Sequence, residues 1–221
     1  FSPEFTHHAS SPLHMTIWWQ ALILLCYILN CVDSSAPSLV LQTKYKNSFR
    51  LTRSTRTRVQ QLLLNYKKQQ LGNKDFEDRS QHLKDLPVLS TDFYNWLNLS
   101  DWERLYAAVG DMQVYWNMLE WKRKQLEKAD KEQMVAQTTL PQSIRHIQLD
   151  LRDLMSQVNE YMKSTSDSPT STTVQTSMNP GSNSKTIWDK RVEGYIILRD
   201  LDLYLTKLAR DFLLLASKAH L

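Results

Sequence analysis

Between Trp102 and Leu126 large apolar side chains recur at spacings of three, four and seven residues: Trp102, Leu105, Val109, Met112, Trp116, Leu119 and Leu126. A helix of 3.6 residues per turn puts all of them on one stripe, whereas a strand would turn every second residue to the other face. The same period returns in Ile144, Ile147, Leu151, Leu154, Val158 and Met162, and again in Leu198, Leu201, Leu205, Leu208, Phe212 and Leu215. The 221 residues contain only 4 glycines, and no alternating β-branched runs lie between tight turns, so the periodic segments have to be helices.

Four long helices follow. The first is expected over 38–71, with Leu51, Val59, Leu62 and Tyr66 on one face, a polar middle from Thr52 to Arg58, and Gly72 as a terminator able to take the left-handed conformation. The second is expected over 100–128. It opens on Ser100 and Glu103, a capping box that satisfies amides of the first turn. Pro141 suits the first turn of a third helix over 141–163, and the fourth is expected over 187–217. At ~1.5 Å per residue the first, second and fourth would each be about 43 to 51 Å long. The links 73–99 and 164–186 are long and lack helical period, while 129–140 is shorter. Two links able to run the length of a bundle predict an all-α, long-chain four-helix bundle, up-up-down-down with two crossover loops. The 164–186 link is almost all Ser, Thr, Asn, Pro and Gly, a composition that argues for a mobile connection.

Met15 to Leu29 is apolar almost throughout and gives way to a small-residue stretch in which Ser34 and Ala36 have the form of a signal-peptidase site. Residues 15–36 therefore read as a secretory signal and 37–221 as the four-helix domain. An uncut anchor is the competing reading, but Ile17–Leu29 falls short of the roughly 20 residues a helix needs to span a bilayer. Residues 1–14 precede Met15 and read as upstream or vector-derived. Cys26 and Cys31 both lie before the cut, so the mature chain would hold no disulfide and no cysteine-based zinc site. Removing Glu4 and Asp33 with the signal leaves 27 basic and 21 acidic residues, a net charge of +6. That balance favours an acidic receptor face or glycosaminoglycan, and is too dispersed to argue for nucleic acid.

The chain has no HExxH, GxSxG or glycine-rich phosphate loop, and thus no nucleophile, base or cofactor cradle. His146 and Asp150 stand four apart, a spacing able to hold a metal, but read better as a solvated pair opposite Ile144 and Ile147. Asp150 and Asp153 read as a wet helix face. No enzyme activity, metal or cofactor is expected.

Three features suggest contact chemistry instead. Asn98-Leu99-Ser100 is a glycosylation sequon in the first long link. Lys44, Lys46, Arg50, Arg53, Arg56 and Arg58 make the first helix strongly basic, either as a solvated face or as a site for a receptor or heparan sulfate. Trp188 and Arg191, with Lys190 between them, set a large aromatic and a cation three residues apart at the start of the fourth helix. Trp188 there either closes the end of the core or anchors an interface; Trp and Arg are the residue types that most often do the latter.

Trp188 to Phe212 (WDKRVEGYIILRDLDLYLTKLARDF) resembles the fourth helix of ciliary neurotrophic factor and cardiotrophin-like cytokine, in the interleukin-6 family. Tyr66-Lys67-Lys68-Gln69-Gln70, Val88-Leu89-Ser90-Thr91-Asp92 and Glu103-Arg104-Leu105 are similar to the end of helix one, the first loop and the start of helix two. The resemblance implies a secreted monomeric cytokine. Trp188 and Arg191 stand where the family has a Phe-x-x-Lys motif that contacts the leukaemia inhibitory factor receptor. Trp96, Lys207 and Arg210 match positions that meet a non-signalling alpha receptor. Exposed faces of the first and third helices would meet glycoprotein 130.

Overall fold

The computed structural model describes residues 12–89, 92–132, 139–165 and 186–219, with side chains from Ser38 onward and, in the third stretch, as far as Lys163. The upstream residues 1–14 and the 15–36 segment read as a secretory signal lie outside the described side chains, and residues 166–185 of the Ser/Thr-rich link lie outside the described part altogether.

Among the described residues five α-helices appear in chain order: α1 Pro12–Tyr66, α2 Phe93–Asn98, α3 Asp101–Glu132, α4 Leu140–Thr165 and α5 Ile187–Lys218. Strands are absent among the described residues. A π-helical turn, Lys67–Leu71, continues α1, and Gly72 ends it with φ +70°, a left-handed conformation that a residue without Cβ adopts cheaply. Three caps set the starts. The Ser100 hydroxyl accepts from Glu103 N at 3.2 Å while the Glu103 carboxylate accepts from Ser100 N at 2.9 Å. Thr186 and Asp189 make the same reciprocal pair at α5, and Asp92 accepts from the amides of Tyr94 and Asn95 at α2. The short α2 breaks the first long link, where no apolar period announces it.

Side-chain contacts fix the helix directions. Lys44 meets Glu160 and Arg58 meets Asp150, so α1 and α4 run antiparallel. Tyr66 meets Arg191 and Arg56 meets Asp202, giving the same sense for α1 and α5. Arg104 meets Asp211 and Lys122 meets Lys190, making α3 antiparallel to α5. Both α1 and α3 thus oppose α5, and α1 also opposes α4: up, up, down, down. The core holds Val59, Leu62 and Tyr66 of α1, Leu105, Met112, Leu119 and Leu126 of α3, and the whole run of Ile144, Ile147, Leu151, Leu154 and Val158 on α4. From α5 it takes Leu198, Leu201, Leu205, Leu208, Phe212 and Leu215.

Several expectations need correction. Trp102 is no core residue: it lies 46% exposed, stacked flat on Tyr106 with centroids 5.0 Å apart. Its place on the first turn of α3 puts it beyond the end of the packed layer. The polar middle of α1 is split between core and surface: Thr52 and Thr55, like Ser48 a turn earlier, are fully buried, while Arg53, Ser54, Thr57 and Arg58 are exposed. Thr52 and Thr55 return hydrogen bonds to the carbonyls four residues back, which lets polar side chains share the apolar face. Asp150 is not on a wet face either. It is buried and takes Arg58 Nη1 at 2.7 Å and Thr55 Oγ1 at 3.2 Å, while His146 stays outside against Gln142. The basic face of α1 is partly spent on packing, since Lys44, Arg56 and Arg58 pair with Glu160, Asp202 and Asp150. Among the described residues no helix is long and apolar enough to cross a membrane.

Candidate functional site

The start of α5 is built in layers from the core outward. Tyr195 is buried and meets Phe76 edge-on at 5.0 Å, and Phe76 in turn meets Trp188 edge-on at 6.1 Å. Trp188 remains 49% exposed. It covers Phe76 on one side and offers the rest of its indole to solvent. The loop carrying Phe76 is strapped to α5 by Arg199, which donates to the carbonyls of Asp78 and Gln81, and by the Tyr195 hydroxyl, which accepts from Asp78 N at 3.3 Å. Lys190 is exposed and Arg191 half-buried on the same turn.

Beneath that turn lies Lys122, only 3% exposed. Its Nζ donates to the Lys190 carbonyl at 2.7 Å and to Gln125 Oε1 at 2.6 Å, and sits 5.6 Å from the centroid of the Tyr66 ring. Burial pulls this ammonium down to about 8. The negative charge of Glu193 opposes the shift, and the cations of Arg191 and Lys190 add to it. The Tyr66 hydroxyl donates to the Arg191 carbonyl at 3.0 Å, and burial holds its own proton on well above the usual range.

Some 20 residues along α5, roughly 30 Å at helical rise, a second cluster fastens α2 to the bundle. Asp211, 1% exposed, accepts from Arg104 Nη1 at 2.8 Å and from Trp96 Nε1 at 2.6 Å, and pairs with Lys207 at 2.9 Å. The Arg104 guanidinium, fully buried, lies 4.8 Å from the Trp96 ring centroid and donates to the Trp96 carbonyl at 2.6 Å. Nearby Asp111 is pushed up to about 6, chiefly by burial, with Lys207 opposing and the charge of Asp211 reinforcing. Outward from this clasp α2 presents Phe93, Tyr94 and Leu97, at 60%, 77% and 43% exposure.

The residues singled out from sequence therefore fall into two groups. Trp188, Lys190 and Arg191 share one turn; Trp96 and Lys207 are joined through Asp211, with Arg210 exposed beside them. Trp96 is half-buried and its N–H is spent inside the protein, so its indole acts first as a fastening. Asn98 is exposed at the last residue of α2. Sequence reasoning passed over Phe76, Lys122, Arg104, Asp211 and Gly194. Of these only Gly194 carried a signal, as a glycine set inside a helical run, although Gly110 is set the same way in α3 and an added Cβ there meets nothing within 4 Å. Among the described residues no group of three His, Cys, Asp or Glu stands ready to hold a metal ion.

An up-up-down-down bundle with an aromatic and cationic edge at the start of its last helix has the shape of a helical cytokine. No curated protein matches the chain at a significant level. The family model for ciliary neurotrophic factor matches residues 33–220, from within α1 to beyond the end of α5. With that match spanning well over half its length, the chain belongs to the ciliary neurotrophic factor family, cytokines of the interleukin-6 class that act as signalling ligands and not as enzymes.

Proposed function

We propose that this protein is a secreted cytokine that brings a leukaemia inhibitory factor receptor-like chain together with a glycoprotein 130-like chain, so that kinases bound to the receptors inside the cell start STAT signalling. The first receptor meets the start of α5 through Trp188, Arg191 and Lys190. Glycoprotein 130 meets a separate face of α1 and α4. An alpha receptor engages the α2 end near Trp96, Lys207 and Arg210, where the exposed Phe93, Tyr94 and Leu97 supply the apolar area that such a contact needs. The 15–36 segment directs export, and Asn98 is the glycan acceptor.

The observation that carries this reading is a tryptophan left half-exposed at a rigidly capped helix start, with cations on the same turn. Trp and Arg are the residue types that most often anchor protein interfaces. The test is binding of residues 37–221 to the leukaemia inhibitory factor receptor ectodomain, beside a Trp188→Ala, Arg191→Ala variant of equal helicity. A loss of tenfold or more, about 1.4 kcal/mol, is expected. No binding by the parent, with glycoprotein 130 also present, would sink the receptor assignment.

The rival reading, a secreted bundle that holds heparan sulfate or a membrane surface through its basic first helix, is weakened by the pairing of Lys44, Arg56 and Arg58 with acidic partners. Lys46, Arg50 and Arg53 meet Gln42, Asn47 and the Phe49 ring, none of them acidic. Binding through these three would collapse with salt and ignore Trp188.

A further inference from the structure

Gly194 lies buried in the second turn of α5, in a helix whose other described positions all carry side chains. A glycine there costs about 1 kcal/mol relative to alanine in helix propensity, so something at this position must need the missing methyl. A Cβ on Gly194 would stand 2.2 Å from the Tyr66 hydroxyl and 2.3 Å from Lys122 Cε. The bare backbone therefore opens a notch through which a phenol from α1 and an ammonium from α3 reach the carbonyls of Arg191 and Lys190. Those carbonyls belong to the turn that carries Trp188, Lys190 and Arg191. The Phe76 ring against Trp188 is a further tertiary contact of that turn.

We propose that Lys122 and Tyr66, admitted by Gly194, are positioning residues that set the direction in which the first turn of α5 presents Trp188 and Arg191 to the receptor. A buried lysine is an expensive way to fill space; an apolar side chain of similar length would pack between Tyr66 and Trp121 at far lower desolvation cost. What the ammonium supplies is a donor that reaches a main-chain acceptor of the receptor-facing turn. The Tyr66 hydroxyl does the same one residue further on. Two donors from two different helices hold that turn against rotation as well as against fraying.

This inference rests on the receptor reading given above, and its test is arranged so that the two can fail separately. The full chain is labelled with 5-fluorotryptophan, and the Trp188 fluorine resonance is identified by its loss in Trp188→Phe. Lys122→Met keeps most of the bulk and removes the donor together with its charge, which Glu193 also feels; Tyr66→Phe deletes a single oxygen and so removes a donor alone, and it covers the case in which Lys122→Met folds poorly. Both variants are expected to shift or broaden the Trp188 resonance and to weaken binding to the leukaemia inhibitory factor receptor ectodomain, about tenfold for the pair together. Binding to glycoprotein 130, on the far face, should hold within about twofold. An unmoved Trp188 resonance in both variants overturns the clamp even if affinity falls. If the parent binds no receptor while the resonance still moves, the clamp stands and the receptor assignment falls.

Discussion

Replacing Asp211 with alanine strips from the Arg104 guanidinium, which has no exposure to water, the one carboxylate it meets among the described residues, and releases three partners at once. Trp96 Nε1 loses its acceptor, Lys207 its paired carboxylate, and among the described residues the buried guanidinium keeps the carbonyls of Trp96 and Leu99 and the Trp96 ring. Breaking one half of a buried pair costs roughly 3–5 kcal/mol, because the charge left behind is neither solvated nor neutralised. For a chain of this size ~1 kcal/mol moves the melting point by about 2–4 °C, so Asp211→Ala should melt roughly 6–20 °C lower. Arg104→Met should cost a similar amount. The double variant Arg104→Met, Asp211→Ala removes both charges together and should cost clearly less than the two single changes added, leaving mainly the lost Trp96 and Lys207 contacts. Urea unfolding followed by circular dichroism at pH 7 measures all three. Single variants that lose less than about 1 kcal/mol, or a double variant equal to the sum, would refute the idea that Asp211 is the buried hub tying α2 to the bundle.

Asp111→Asn should act in the opposite direction. Burial raises this carboxyl from 3.8 to about 6, so the native state prefers it protonated and holding it charged at pH 7 costs stability. That cost, about 2 kcal/mol after allowing for its partial exposure, eases as pH falls through 6. The variant should therefore be more stable than the parent at pH 7 and no more stable below about pH 4; equal unfolding midpoints at both would contradict the assignment. Gly194→Ala should destabilise by about 1–3 kcal/mol despite alanine's better helix propensity, since its methyl would overlap Tyr66 and Lys122, and a higher urea midpoint would rule the notch out. When the chain is expressed through a secretory pathway, N-glycosidase should lower its mass and Asn98→Gln should abolish that change; an unaltered mass in the parent would show the sequon unused.

The run Ile144 to Val158 and the run Leu198 to Leu215 were legible as helices with a buried stripe, because long uninterrupted periods leave a local sequence no other way to hide its apolar side chains. Link lengths then carried the up-up-down-down order, since only two of the three connections can cross the length of a bundle. That Trp188 and Arg191 share one turn at the start of the last helix was legible for the same local reason, their spacing of three residues. What tertiary structure alone decided is which polar groups go inside. Thr55 and Asp150, or Arg104 and Asp211, lie 95 and 107 residues apart and are each unremarkable where they stand. A buried charge is tolerable only beside its partner, and that partner is chosen by how helices pack, not by anything within one helix. The same holds for Trp102, whose spacing matches the α3 stripe although the bundle ends before reaching it, and for Lys122, whose place in the core depends on a glycine 72 residues further along the chain.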